Sequence, residues 1–336
     1  MTSSSLLCCR PMGVIEVDRA RARGPRVIPD RPWADIMLDE AVLAVQRRNV
    51  EAAIPLLAAT RGDPEVRALR VEALSRAAVG MSRGIESLIA RDQANPDLWL
   101  WLGRTRIEEA FEIKPEVKAR AVQARRLEAY HSAMESARQP LVTAAGLMPA
   151  DPVPWESMLW LAVGLERPRT DKDSVWYECA RRWPTLYPAN VARLITLSPG
   201  WGGTATEMME FARTVVANAP EGSPLPALIP LAHFENVAAE RTPMSRGGWF
   251  SFDAQREIVA AAGRWSQRRI GPAHPRSIEA HNAFGAAFFL SDLRRPARGH
   301  LTRTGGRFSR LPWSHLGGEP ENQFQRACGK LNVITN

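Results

Sequence analysis

The sequence lacks the patterns on which metal and catalytic sites are usually built. Its four cysteines stand at positions 8, 9, 179 and 328, and none belongs to a C-x2-C pair of the kind that binds zinc. The histidines form no H-E-x-x-H motif, and no glycine-rich loop carries the lysine that a phosphate-binding loop requires. The sequence therefore predicts no metal, no cofactor and no catalytic residue, and we expect a protein that is not an enzyme.

Strand-forming and membrane-spanning stretches are scarce as well. Three tyrosines and few Val-Ile-Thr runs leave little material for strands. The apolar runs are too short and too interrupted to span a bilayer. The start MTSSSLLCCR has neither the basic region nor the long apolar region of a signal peptide, and Met1 and Met12 are both candidate starts. These features predict a reduced, cytoplasmic protein without a membrane span.

Acidic residues are missing from one part of the chain. The formal net charge is +8, but residues 264–310 alone hold ten arginines against Glu279 and Asp292. Residues 1–32 hold six arginines against three acids. The basic character therefore lies at the N-terminus and in the 264–310 lobe. Two interpretations of this arginine content stay open. It can serve binding of an anionic partner, or it can reflect the base composition of the genome, which also favours alanine and proline.

What the chain has in abundance is helix-start signals. A polar residue followed by proline caps a helix and occupies its first position, where the missing N–H costs nothing. Such pairs recur along the chain at Asp63-Pro64, Asn95-Pro96, Asp151-Pro152, Ser223-Pro224 and His274-Pro275. They predict successive helices of about 12 to 18 residues, as an αα-repeat requires. In the turn 201–204 the glycines exclude a continuous helix, and Thr204 with Glu207 predicts a capping box that starts the next one.

Two stretches have the spacing of tetratricopeptide (TPR) units. In these units a tryptophan and a glycine mark the first helix, and small residues of the second helix let the pair pack closely. The residues with these predicted structural roles are Trp99, Leu102, Gly103, Ala137, Leu141, Ala144, Pro149 and Trp155. They predict an all-α, TPR-like solenoid, a right-handed superhelix of paired antiparallel helices.

Taken in order, these motifs resemble a bacterial TPR-like family of unknown function. The resemblance rests on W-x2-L-G at 99–103, the A-L-A-P-W pattern at 137–155, W-G-G-T at 201–204 and L-P-W-x2-L-G at 311–317. It covers about residues 33–328 and implies the fold, without implying an activity or a catalytic residue.

The predicted domain organisation follows from where this pattern begins and ends. We expect a disordered basic tail at 1–32 and a TPR-like domain at 33–328, followed by a flexible C-terminus at 329–336. Within the domain, the 56-residue separation of Trp99 and Trp155 exceeds the 34 residues of a strict TPR unit. This excess predicts an inserted helical segment at 104–130, and residues 309–328 are predicted to form a C-terminal cap.

The predicted function is a non-catalytic scaffold that binds a protein or peptide partner, the usual role of a helical solenoid. The alternative is binding of nucleic acid or another anionic surface by the arginine-rich lobe 264–310. The candidate partner-binding residues are tryptophans off the repeat core and arginines of the basic lobe: Trp101, Trp160, Trp201, Arg264, Arg268, Arg269, Arg294, Arg295 and Arg298.

Overall fold

The computed structural model describes residues 27–28, 30–113, 120–240, 248–266 and 273–333. Over these residues the protein is all-α: no strand is formed, and Ile28 makes one isolated parallel bridge with Arg307. The predicted all-α class is thereby confirmed for this part of the chain, whereas the TPR-like solenoid remains a prediction. The α-helices are α1 Ile36–Gln46, α2 Ile54–Ala58, α3 Pro64–Ala77, α4 Ser82–Arg91, α5 Pro96–Ile113, α6 Arg120–Ser136, α7 Arg138–Leu147, α8 Val153–Gly164, α9 Arg169–Ala180, α10 Tyr187–Leu197, α11 Ala205–Ala217, α12 Leu228–Glu240, α13 Phe252–Ser266, α14 Ser277–Leu290, α15 Arg294–Arg303, α16 Arg310–Trp313 and α17 Pro320–Lys330.

The chain divides into two compact units. Asp35–Arg193 forms the N-terminal unit, and the residues from Leu194 onward form the C-terminal unit together with the described residues that precede Asp35. Among the helices described, none is both long enough and apolar enough to cross a bilayer.

Helix α5 is the central element of the N-terminal unit. It contacts α3, α4, α6, α7 and α8, so apolar residues are buried on more than one of its faces. Its packing against α7 is especially close, because a Cβ atom at Gly103 would lie 2.6 Å from Cγ of Leu141. Only a residue without a side chain permits this approach, which gives the physical reason for a glycine at this position.

Two helices begin at the proline of a predicted polar-proline pair. Asp63 has extended backbone and accepts hydrogen bonds at 3.1 Å from the amides of Glu65 and Val66, with Pro64 as the first residue of α3. In the same way, α5 begins at Pro96. These caps satisfy amide groups that have no partner within the helix, and the two helix starts are confirmed.

A buried arginine joins the starts of two of these helices. Arg67 on α3 is 1 % exposed; its Nη1 lies 2.6 Å from Asp97 in the first turn of α5, and its Nε lies 2.7 Å from Asp151 before α8. Asp151 also accepts a hydrogen bond at 2.9 Å from the amide of Val153. Two carboxylates that begin separate helices are thus held by one guanidinium, away from water.

The inserted segment predicted at 104–130 is helical wherever it is described. Helix α5 continues through it to Ile113, and α6 occupies it from Arg120 onward. Residues 114–119 lie outside the described residues.

In the C-terminal unit, the predicted break at Trp201 is confirmed. Gly202 has φ 89°, in the left-handed region that favours glycine, and a Cβ at Gly203 would lie 2.0 Å from the carbonyl oxygen of Leu197. Thr204 caps α11, because its hydroxyl accepts a hydrogen bond at 3.1 Å from the amide of Glu207. The two glycines let the chain turn sharply before the cap restarts the helix.

The C-terminal segment is more ordered than predicted. Trp313 and Phe324, in the predicted cap 309–328, are buried with their ring centroids 5.5 Å apart in an edge-on arrangement. The flexible terminus predicted from residue 329 is wrong over 329–333: α17 runs to Lys330, and the side chains after it are 4 % and 5 % exposed at Leu331 and Val333. Burial of these two apolar side chains fixes the chain that follows the helix.

The N-terminal side of this unit is described only in part. Ile28 donates a backbone hydrogen bond to the carbonyl of Gly306 at 2.9 Å, and Asp30 pairs with Arg310 at 3.3 Å. The end of the tail predicted at 1–32 is therefore paired with the last helices. Residues 1–26 and 29 lie outside the described part of the chain.

Candidate functional site

Helix α15 separates its buried and charged residues onto opposite faces. Ala297, Leu301 and Thr304 are buried at positions one helical turn apart, and they face the core of the C-terminal unit. A Cβ atom at Gly285 would lie 2.4 Å from Cδ2 of Leu301, so α14 and α15 are in close contact there. This packing leaves the arginine-bearing face of α15 turned to solvent.

The exposed face forms one wall of an open cleft of about 800 Å³, which we call the arginine cleft. Arg294, Arg295, Arg298 and Arg303 line this wall, together with Gly299 and Thr302. Leu331 and Asn332, which follow α17, also line the cleft. No acidic residue lines the cleft among the described residues.

Two of the guanidinium groups of the arginine cleft donate to backbone carbonyls. Nη2 of Arg294 donates to the carbonyl of Lys330 at 2.8 Å, and Nη1 of Arg303 donates to the carbonyl of Gly299 at 2.8 Å. Within the described part of the chain, no carboxylate pairs with either of them, nor with Arg295 or Arg298. The cleft therefore holds four positive charges without a neutralising anion.

A histidine pair lies on the inner side of α15. Nδ1 of His281 on α14 and Nδ1 of His300 on α15 are 3.0 Å apart, so the N–H of one ring donates a hydrogen bond to the unprotonated nitrogen of the other. The rings of Trp265, Phe284 and Phe288 have centroids within 4.5 to 6.1 Å of one or both histidine rings. The hydrogen bond requires that one of the two facing Nδ1 atoms carries no proton, because two protonated nitrogens would place two donors face to face.

Acid is expected to weaken the fold through His300. Burial, together with the nearby charge of Arg303, lowers the pKa of His300 to about 4. Because this value lies below the unfolded value of 6.5, the unfolded chain binds the proton first, and stability present above that pH is lost as the pH falls towards 4. We expect a loss of about 1 to 2 kcal/mol between pH 7 and pH 5 from this residue.

The measurement is the free energy of unfolding at both pH values in wild type and in His300→Gln, which cannot titrate. The wild type is expected to lose more stability than the variant. Parallel pH dependence in the two proteins would show that His300 carries no such linkage.

The other predicted arginines do not join the cleft in the described structure. Arg264 is exposed on α13, and its Nη2 donates to the carbonyl of Ala217 at 2.5 Å, at the end of α11. Arg268 and Arg269 lie outside the described residues. Of the predicted arginines that the structure describes, Arg294, Arg295 and Arg298 are brought together and Arg264 is not among the residues that line the cleft.

Trp101 is corrected as a candidate for partner binding. Its side chain is 0 % exposed, in the core of the N-terminal unit, and cannot reach a partner. The prediction assumed one buried face on α5, whereas this helix is covered on several sides. Trp99, placed in the core by the sequence pattern, is instead half-buried, and its Nε1 donates to the carbonyl of Gln93 at 2.8 Å.

Trp160 is half-buried and takes part in a charged network. Its Nε1 donates to Glu156 at 2.9 Å, and Glu156 also accepts hydrogen bonds at 3.1 and 3.2 Å from Arg104. Arg104 in turn pairs with Glu108 one turn along α5, at 2.9 Å. The indole N–H thus helps to satisfy a buried carboxylate, which is a structural role.

The two remaining tryptophans of interest are half-buried. Trp201 lies in the turn before α11. Trp155 lies beneath Arg182, whose guanidinium carbon is 4.8 Å from the ring centroid. Of the other residues with predicted structural roles, Leu102, Ala137, Leu141 and Ala144 are buried, whereas Pro149 is exposed.

The sequence analysis missed part of the arginine cleft. Arg303 lies nine residues after Arg294, which is 2.5 helical turns, so the helical period alone does not predict that both arginines line one cleft. Leu331 and Asn332 are brought to the cleft by tertiary packing, and no local pattern marks them. Comparison of the chain with family models, curated proteins and solved structures gives no match.

Proposed function

We propose that this chain is a non-catalytic binding protein of the cytoplasm, built as a helical-repeat scaffold, that recognises an acidic protein or peptide segment. The observation that carries the proposal is the arginine cleft, with four guanidinium groups and no carboxylate among its lining residues. Arginine presents several donors in a planar fork that matches a carboxylate, and it remains charged at every physiological pH.

Several exposed arginines elsewhere in the described chain differ from those of the cleft. Arg138, Arg181 and Arg213, for example, are also exposed, and each pairs with a carboxylate on a neighbouring turn or helix. A row of arginines that lacks such partners is compatible with neutralisation by an external anion. An acidic polypeptide is favoured over duplex DNA. The four arginines of the cleft lie on a single ten-residue helix, and no DNA-binding motif that would place this helix in a groove is recognised among the described elements.

The test is binding of a fluorescent glutamate-rich peptide, measured by anisotropy at low salt. We expect the triple variant Arg294→Glu/Arg295→Glu/Arg298→Glu to bind about 10- to 30-fold more weakly than wild type, since each exposed ion pair contributes up to about 1 kcal/mol. Added salt should weaken wild-type binding in the same direction.

A matched control changes the net charge by the same amount elsewhere. Arg47, Arg83 and Arg126 are exposed in the N-terminal unit, and the triple change of these to glutamate should leave peptide affinity within twofold of wild type. Equal loss in both variants, or no binding of the peptide, contradicts the proposal. Tighter cleft-dependent binding of a single-stranded oligonucleotide at the same salt would favour the nucleic-acid alternative.

A further inference from the structure

Two of the four arginines in the cleft have no partner within the described part of the chain. Arg294 and Arg303 each donate to a backbone carbonyl, which holds them in place. The side chains of Arg295 and Arg298, in contrast, make no hydrogen bond or ion pair with a residue that the structure describes. Both side chains are exposed and line the cleft, so their donors are available to a ligand.

These two arginines also occupy the middle of the face of α15 that lines the cleft. Successive residues of a helix are turned by about 100°, so Arg298 lies about 60° from Arg295 in direction and nearly one turn beyond it. Side chains three residues apart are neighbours on a helix, with Cβ atoms about 5 to 6 Å apart. Thr302 lies between them in direction, one turn further along, whereas Arg294 and Arg303 lie on the two flanks of the face.

The chemistry of the ligand follows from the donors that meet in the middle of this face. A guanidinium presents its N–H groups as a planar fork, and the two oxygens of one carboxylate match one fork. Two neighbouring forks are better matched by a phosphorylated side chain, which offers three strong acceptor oxygens and a charge of about −2 at neutral pH. Thr302 and Asn332 add a hydroxyl and a neutral amide to the same lining.

Building on the binding function proposed above, we propose that the cleft recognises a phosphoserine or phosphothreonine within the acidic segment, with the phosphoryl group between Arg295 and Arg298. Neither guanidinium is held by another described group, so both can turn towards one dianion. Arg294 and Arg303 then attract the acidic residues on either side of the phosphorylated one. Clusters of arginines recognise phosphorylated segments in several unrelated folds.

A polypeptide is a better source of the phosphoryl group than a free phosphate ion. The cleft is open and has a volume of about 800 Å³, far more than one phosphate fills. Its positive charge also extends beyond the two central arginines to both flanks of the face. A segment that carries acids beside the phosphorylated residue uses all four charges.

The test compares two labelled peptides of equal charge on the full chain at low salt and pH 7.5. They are Ac-SDSpSDSS-NH2, in which pS is phosphoserine, and Ac-SDEEDSS-NH2. We expect the phosphopeptide to bind about 10-fold more tightly, and both to lose affinity in the Arg294→Glu/Arg295→Glu/Arg298→Glu variant. Equal affinity with the same dependence on the cleft overturns recognition of the phosphoryl group and leaves the proposed function intact. Binding of neither peptide overturns both.

A substitution at constant charge gives a second measurement. The variant Arg295→Lys/Arg298→Lys keeps both positive charges and removes both planar forks, so the preference for the phosphopeptide is expected to fall to within about twofold. Neither arginine has a described partner, so no internal contact is lost. The matched control Arg47→Lys/Arg83→Lys, at exposed positions of the N-terminal unit, should keep the preference. A preference that survives in Arg295→Lys/Arg298→Lys contradicts recognition by these two arginines.

Competition distinguishes a phosphorylated segment from a free phosphate ion. Unlabelled phosphopeptide and inorganic phosphate are each added to the complex with labelled phosphopeptide, at constant ionic strength. We expect the peptide to displace the label at a concentration at least about 10-fold lower than phosphate, because the flanking arginines also attract its acids. Displacement at similar concentrations overturns the assignment to a polypeptide segment.

Discussion

Replacement of Arg67 by methionine is expected to lower the free energy of unfolding by about 3 to 5 kcal/mol. Methionine retains much of the apolar stem of arginine, so the loss comes chiefly from the charge and its hydrogen bonds. Asp97 keeps its second partner, since Arg61 lies 2.7 Å away on the solvent side. Asp151, in contrast, is left as a buried carboxylate whose remaining partner is the amide of Val153.

The pH dependence of this loss identifies its cause. Burial already raises the pKa of Asp151 above its usual value, although Arg67 acts to lower it. A raised folded-state pKa means that stability is present in acid and is lost as the pH rises through that value. Removal of Arg67 raises the pKa of Asp151 further, so the difference between variant and wild type should grow from pH 5 to pH 7.

Denaturant midpoints at the two pH values provide the measurement. The matched control is Arg67→Met/Asp151→Asn, which removes the buried charge together with its partner and keeps an acceptor for the amide of Val153. This double variant is expected to recover part of the stability lost by Arg67→Met. An Arg67→Met protein as stable as wild type at pH 7 would contradict a structural role for the buried pair.

Replacement of Trp101 by alanine is expected to cost about 3 to 5 kcal/mol of unfolding free energy, the usual cost of emptying a large buried aromatic site. Its indole is fully enclosed, and its Nε1 has no hydrogen-bond partner among the described residues. Trp101→Phe should therefore cost considerably less than Trp101→Ala, because it retains most of the volume and forfeits no hydrogen bond.

Chemical denaturation of the two variants checks this order. A midpoint for Trp101→Ala equal to that of wild type, at unchanged slope, would mean that the side chain is exposed in solution. That result would restore Trp101 as a candidate for partner binding.

The sequence predicts the local features of this fold better than its long-range contacts. Caps and breaks such as those at Asp63 and Gly202 depend on a few neighbouring residues, and the sequence indicates them directly. The burial of Trp101 depends on how many helices surround α5, which periodicity does not determine. The link from Arg67 to Asp151 spans 84 residues, beyond the range of any local pattern.

The residues of the arginine cleft also differ in how well the sequence predicts them. Three arginines of the cleft were predicted from the charge imbalance of residues 264–310, because that stretch holds few acidic residues that could pair with them. The contribution of Leu331 and Asn332 could not be predicted, since those residues were assigned to a flexible terminus. Their position depends on burial of the apolar residues at the end of α17.

The ion pairs of Arg67 with Asp97 and Asp151 limit how these three positions can change among related sequences. A change at Arg67, Asp97 or Asp151 alone leaves a charge in the interior without its full complement of partners. Each single substitution is therefore expected to lower the free energy of unfolding, and a compensating change at a second of the three positions is expected to recover part of it. Related chains should retain the three residues together or replace them together, for example by apolar side chains of similar volume.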